Sequence, residues 1–262
     1  MEYMVIKCGG SIVEKLPSAF YESFSSIIDK GIKPIIVHGG GPMISSQLDK
    51  LDVKTTFVDG LRVTTDQVLD VVEMVLSGSV NKTIVRKFLD QGVKAVGMSG
   101  IDGSMLEAEP VKDAGKIGHV GHVTHVNTKM IEALTDAEFL PIISPLGVGE
   151  AQQRYNVNAD LAAASIAQAL EAPLLYVSDI PGICVNDELI HFATEDTIKG
   201  YIEAGDIYGG MIPKVNSAIQ ALRSGVPEVA IVSGLDPDSV IDFTQHKKVG
   251  TTIQLKEASH VL

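Results

Sequence analysis

The chain opens on an apolar run, Tyr3-Met4-Val5-Ile6-Lys7-Cys8, that ends at Gly9-Gly10-Ser11. A short run of this kind, bounded by glycines, reads as a strand buried on both faces. Over residues 17–30, Phe20, Phe24, Ile27 and Ile28 fall on one helical face, and Gly31 ends the helix. Residues 32–38 form a second buried strand, stopped by Gly39-Gly40-Gly41. Pro42 then opens a helix over 43–51, at a position where its missing N–H is no loss. A strand, a helix and a strand in succession make a right-handed parallel unit, so both glycine turns face one edge of the sheet. Ligands bind at that edge in open α/β sheets.

The same pattern continues. Residues 53–58 read as a hairpin or edge strand, 66–76 and 81–91 as helices, and 93–98 as a strand. Residues 104–126 carry short alternating runs in which His119, His122 and His125 recur every third residue. Gly118 and Gly121 break any helix there, and on a strand that spacing sends neighbours to opposite faces, so a His- and Gly-rich hairpin is preferred to a zinc site. Next come a helix over 127–136, a strand over 140–144, a turn at 147–149 and a helix entered through Asn156-Val157-Asn158-Ala159-Asp160. Asn158 suits the N-cap and Asp160 the first turn, which leaves Asn156 without a structural task. A strand over 172–178, a small hairpin turned by Asn186-Asp187, and a helix over 197–204 follow. A helix from Met211 to a stop at Gly225 and strands over 229–232 and 251–254 complete the pattern.

Composition narrows the options. The 262 residues are 45% hydrophobic and suit one large α/β domain or two lobes, with no linker or repeat. Lys and Arg number 21 against 33 Asp and Glu, a net charge of −12 that argues against nucleic acid. No apolar run is long enough to span a membrane, and the N-terminus does not resemble a signal peptide. Two cysteines, Cys8 and Cys184, suit a reduced, buried state and a cytoplasmic location.

Against that acidic background a few cations stand out. Lys7 lies in an apolar run before a glycine turn. Lys214 lies in the first turn of its helix, where a cation opposes the helix dipole and a bound anion would resolve the conflict. Arg62, in a turn just before a helix, could clamp a carboxylate bidentately, but taken without its neighbours it reads first as a solvated surface residue. Nucleophile-elbow, dinucleotide and Walker signatures are absent. What remains fits phosphoryl transfer by positioning and charge neutralisation.

These residues carry a resemblance. Lys7-x-Gly9-Gly10, His38-Gly39-Gly40-Gly41, Gly60-Leu61-Arg62-Val63-Thr64, Asn156-Val157-Asn158-Ala159-Asp160 and Gly210-Met211-x-x-Lys214 are similar, in order and spacing, to the motifs of the amino acid kinase family. The second-last and third-last of these blocks point to its acetylglutamate branch. The resemblance implies a three-layer sandwich around a mainly parallel sheet, as a single domain over 1–262. Its N-lobe, about 1–170, would bind N-acetyl-L-glutamate, and its C-lobe, about 171–262, the nucleotide. It implies transfer of the γ-phosphoryl of MgATP to the side-chain carboxylate, with Mg²⁺ carried by ATP rather than by protein ligands. Lys7 and Lys214 would stabilise the transition state, Asp160 would hold both lysines, and Gly10 would donate a backbone N–H. Gly40, Gly41, Arg62, Asn156 and Asn158 would contact acetylglutamate. Gly9, Asp179, Ile180, Pro181, Gly182, Ile183, Cys184, Asp206, Ile207, Tyr208 and Gly210 would line the nucleotide site. Sister kinases acting on a carrier-linked substrate, and a silent sensor of ATP or an amino acid, are the alternatives. Arginine-inhibited members carry an extra N-terminal helix that joins dimers into a hexamer, whereas here the first strand begins at Tyr3. The expectation is a homodimer with weak or no feedback by arginine; a hexamer in light scattering, or tight arginine inhibition, would overturn it.

Overall fold

The opening run, Tyr3–Cys8, is an interior strand of an eight-stranded sheet in a computed structural model that describes residues 2–10, 12–112 and 114–255. Ser11 of the first glycine turn lies outside the described residues. Across the sheet the strands run Phe192–Thr194, Thr251–Gln254, Val229–Ser233, Leu174–Ser178, Tyr3–Cys8, Lys33–His38, Leu140–Ser144 and Ala95–Ser99. Every neighbouring pair is parallel except Val229–Ser233 with Thr251–Gln254. Leu174–Ser178 and Leu140–Ser144 are buried throughout, as strands covered on both faces must be.

The covers are two apolar layers. On one side, helices Ser18–Asp29, Asp66–Glu73 and Asn81–Leu89 contribute Phe20, Phe24, Leu69, Val72 and Phe88. Phe88 meets Tyr21 and Phe24 edge-on, with ring centroids 5.0 and 4.9 Å apart. On the other, helices Ala159–Ala169 and Met211–Arg223 contribute Ala162, Ala163, Ile166, Val215 and Ala218. The fold is therefore an α/β three-layer sandwich around a mainly parallel sheet. Among the described residues, no helix is long and apolar enough to cross a membrane.

Several elements differ from the sequence reading. Residues 66–89 form one helical run, because a π-helical segment, Met74–Val80, carries the backbone through Gly78 without a break. The alternating region does pair, Leu106–Pro110 with Val120–Val126, but Leu146–Val148 and Arg154–Val157 close it into a four-stranded barrel. Gly147 is thus a strand residue and not a turn. A Cβ there would lie 2.7 Å from that of Ala108, and one at Gly121 would lie 2.6 Å from that of Tyr155. These glycines permit close approach inside a narrow barrel. Asn156 likewise sits on a strand, and its helix begins only at Ala159. Strand Phe192–Thr194 and helix Ser239–Thr244 were not legible as periodic runs. Cys8 is buried, but Cys184 is only half-buried, and both are free.

Truncating Phe88 to Ala should destabilise the fold by about 3–5 kcal/mol, since it empties a site closed by two other rings. Urea denaturation would register it, and a loss under about 1 kcal/mol would contradict this account of the core.

Candidate active site

The carboxyl ends of the two central strands set the geometry. Tyr3–Cys8 and Lys33–His38 run side by side in parallel register, Lys7 beside Val37 and Cys8 beside His38. The turns that follow therefore meet, and the Gly39 N–H donates to the Cys8 carbonyl at 3.1 Å. A Cβ on Gly10 would stand 2.7 Å from both Cα and N of Gly40, and one on Gly40 would stand 2.6 Å from Leu76 of the π-helical segment. Only glycine fits at Gly10, because the obstruction there is backbone, whereas at Gly40 it is the end of the Leu76 side chain.

Charged groups collect on this edge. Lys7 Nζ lies 2.7 Å from Asp160 Oδ1, in the first turn of helix Ala159–Ala169. Asn158 caps that helix, its Oδ1 accepting from the Asp160 and Leu161 N–H groups at 2.8 and 3.2 Å. Lys214, in the first turn of helix Met211–Arg223, donates to the Ser178 hydroxyl at the end of strand Leu174–Ser178. Burial holds its pKa below the ordinary lysine range, and the charge of Lys7 adds to that, while Asp179 and Asp160 oppose both. Two lysines and two aspartates thus act on one another, with Asp160 on the wall of one cavity and Asp179 and Lys214 on the wall of another.

The smaller cavity, about 210 Å³, is lined by Gly40, Gly41, Arg62, Asn156, Asn158 and Asp160 among others. Arg62 is buried rather than solvated. Its Nη2 donates to the Gly41 carbonyl at 3.0 Å and to Ser45 Oγ at 2.8 Å, and the ring of Phe57 lies 4.7 Å away. Its Nη1 is buried with no hydrogen-bond partner among the described residues. A guanidinium held by two neutral acceptors and left one donor short is suited to an incoming carboxylate. Asn156 is held by Thr64, its Nδ2 donating to Oγ1 at 3.1 Å, while Thr64 donates to the Arg62 carbonyl at 2.8 Å.

The larger cavity, about 480 Å³, is lined by Asp179, Ile180, Pro181, Gly182, Ile183, Cys184, Asp206, Ile207, Tyr208, Gly210, Met211 and Lys214. Its walls are mostly apolar, with charge confined to the Lys214 end and to Asp206. That is the division expected of a site for a flat ring joined to an anion. Gly9 lines neither cavity; it turns the chain, its carbonyl accepting from the Ile12 N–H at 3.1 Å.

Sequence reasoning missed the supports. Ser178, Thr64, Ser45 and Phe57 hold Lys214, Asn156 and Arg62 in place. The one signal available was a polar residue ending an apolar strand, as at Ser178. The histidines do not converge. His119 Nε2 lies 2.8 Å from Asp66, whereas His122 and His125 lie opposite Glu109 and Glu107 on the barrel. No group of three or more His, Cys, Asp or Glu among the described residues is placed to hold a metal ion.

The chain belongs to the amino acid kinase family, whose model matches residues 2–233. Curated relatives include the acetylglutamate kinase of Oceanobacillus iheyensis, 45% identical with all of both chains covered. That of Bacillus pumilus is 49% identical over 99% of this chain and 98% of its own. Among solved structures, the smu.665 protein of Streptococcus mutans has a TM-score of 0.84 at 29% identity, covering 97% of this chain and 99% of that one.

The charge cluster generates a prediction about pH. A lysine pairs with phosphate only when protonated, and the pKa of Lys214 is lowered in the free protein. The kcat/KM for ATP should therefore fall on the alkaline side below the ordinary lysine range of about 10.4. In the kcat profile the limb should move up, because bound phosphate restores the charged form. Coincident limbs in the two profiles would contradict this account.

Proposed function

We propose that the chain is an acetylglutamate kinase, transferring the γ-phosphoryl of ATP to the side-chain carboxylate of N-acetyl-L-glutamate to give N-acetyl-L-glutamyl 5-phosphate in arginine biosynthesis. The observation that carries the residue assignment is the charge cluster of Lys7, Asp160 and Lys214, in which Asp160 lines the small cavity and Lys214 the large one. The two relatives above bear that enzyme's name over nearly the full chain.

In this reading the small cavity takes acetylglutamate. Arg62 receives the α-carboxylate through its unpartnered Nη1, and Asn156, Asn158, Gly40 and Gly41 orient the rest. The large cavity takes the nucleotide, with the phosphates directed at Lys214 and the N-terminus of its helix. The N-lobe, about 1–170, thus serves the acceptor and the C-lobe, about 171–262, the donor. Mg²⁺ accompanies the ATP phosphates, and no residue of this chain is assigned to it.

The chemistry follows from charge. The acceptor carboxylate is already ionised at pH 7, so no general base is required. One of its oxygens forms a bond to the γ-phosphorus as the bond to the β,γ-bridging oxygen breaks, and ADP leaves with that electron pair. The obstacle is repulsion between two anions. At 4 Å each pair of unit charges costs about 4 kcal/mol at an effective dielectric of about 20, some three orders of magnitude in rate. Lys7 beside the acceptor, Lys214 beside the donor, and the Gly10 N–H offset it without moving, because Asp160 and Ser178 hold the two lysines. Homodimerisation belongs to the same reading, with exposed Met74 and Leu89 as apolar contact material. So does a cytoplasmic location, consistent with two free cysteines.

The test is ATP-dependent hydroxamate formation with N-acetyl-L-glutamate, L-glutamate and L-aspartate offered in parallel. Signal with acetylglutamate alone is expected, and Lys7→Ala or Lys214→Ala should lower kcat by about 10²–10³. Signal with free glutamate or aspartate would overturn the assignment of Arg62 and Asn156. No signal with any of the three, from folded protein that binds ATP, would overturn the activity itself.

A further inference from the structure

The histidine that precedes the triple glycine has no part in the chemistry above, yet it is fully buried among polar partners. His38 Nδ1 lies 3.0 Å from the Gly39 carbonyl, and its Nε2 lies 3.2 Å from Asn81 Nδ2. Asn81 is itself fully buried, at the point where the π-helical segment becomes an α-helix. Its Nδ2 also faces the carbonyls of Ile142 at 2.8 Å and Met98 at 3.3 Å, on the strands beyond Lys33–His38. Its Oδ1 accepts from Lys82 Nζ at 3.1 Å, and Lys82 is anchored on the Gly97 carbonyl at 2.7 Å.

The tautomer follows from this network. A backbone carbonyl only accepts, so Nδ1, beside the Gly39 carbonyl, carries the ring proton, while the two hydrogens of the Asn81 amide are shared among three acceptors, the Ile142 and Met98 carbonyls and Nε2. Nε2 of His38 must then be bare, and the proton sits on Nδ1, where it donates to Gly39 O. Burial pushes the imidazole pKa down to about 4, with the Lys82 charge adding to it, so the ring is neutral at pH 7.

That bond has a consequence one atom further on. The Gly39–Gly40 peptide is trans, so the Gly39 C=O and the Gly40 N–H point in opposite directions from one rigid plane. Glycine alone would let that plane rotate. Fixing the carbonyl fixes the N–H, and Gly40 lines the small cavity beside Gly10.

We propose that His38 is a positioning residue for the transfer: its Nδ1–H holds the Gly39 carbonyl so that the Gly40 N–H stays directed at the bound acceptor, and Asn81 holds the tautomer that makes this possible. The proposal rests on the acceptor reading of the small cavity. It explains a buried His–Asn pair that an apolar pair could replace if only packing mattered.

Two substitutions separate positioning from packing. His38→Asn puts an amide N–H near the place of Nδ1, whereas His38→Gln puts its amide near the place of Nε2 and leaves Gly39 O without a donor. With His38→Gln, acceptor kcat/KM should fall about tenfold or more, while KM for ATP stays within about twofold. His38→Asn should restore acceptor kcat/KM to within about threefold of the parent at a similar melting temperature. Equal activity of the two variants, whether near the parent or equally impaired, would overturn the proposal. A second readout needs no substrate: the ¹⁵N shifts of the His38 ring in the intact protein at pH 7 should report a protonated Nδ1 and a bare Nε2. The opposite tautomer would overturn the proposal. If the parent uses a different carboxylate acceptor, the comparison is run on that acceptor, so an error in the assigned substrate is visible separately from an error about His38.

Discussion

Backbone touching backbone between Gly10 and Gly40 is the constraint from which the site follows. Two parallel strands in register deliver their following turns to the same place, and there is no room between those turns for even a methyl group. The close approach leaves N–H donors, not side chains, facing the space above the sheet. It also brings Lys7, on one of those strands, to helix Ala159–Ala169, whose first turn carries Asp160. The π-helical segment closes the arrangement from behind, with Leu76 and Val80 against Gly40. A regular helix through Gly78 would place those two side chains elsewhere on the helical surface. The irregular segment and the triple glycine are therefore one device.

Much of this was legible because the relevant signals are local. Buried strands ending at glycines, and a lysine in the first turn of a helix, are read from a few consecutive residues. The parallel unit that pairs the two glycine turns follows from strand–helix–strand order alone. Arg62 was not decidable locally, since a buried clamp and a solvated arginine look alike until Ser45, Gly41 and Phe57 are placed around it. Asn156 was misread because Asn158 and Asp160 announce a helix N-terminus, while its strand pairs only with distant residues. Gly147 failed for a similar reason. A glycine that makes a turn and one that admits a neighbouring Cβ are the same letter, and only the barrel tells them apart.

The division of labour between the cavities is electrostatic before it is steric. The chain carries twelve more acidic than basic side chains, so an anion approaching it meets an unfavourable mean field. Favourable potential has to be concentrated, and it is concentrated where two helix N-termini and two lysines converge. Asp160 and Asp179 keep those lysines tolerable in the absence of an anion. Their charges oppose, without outweighing, the burial that lowers the pKa of Lys214.

A lysine whose pKa is lowered by folding is one whose charge opposes folding, and Arg62 is in the same position, its guanidinium pKa lowered by burial. Both stand at cavity walls, with one guanidinium donor unpartnered among the described residues, an arrangement suited to ligands that carry the missing charge. The side chains that hold them are neutral: Ser178 at Lys214 and Ser45 at Arg62 fix geometry without cancelling potential. Carboxylates in those places would anchor the cations more firmly, and would also spend the field that two anionic substrates require in order to meet.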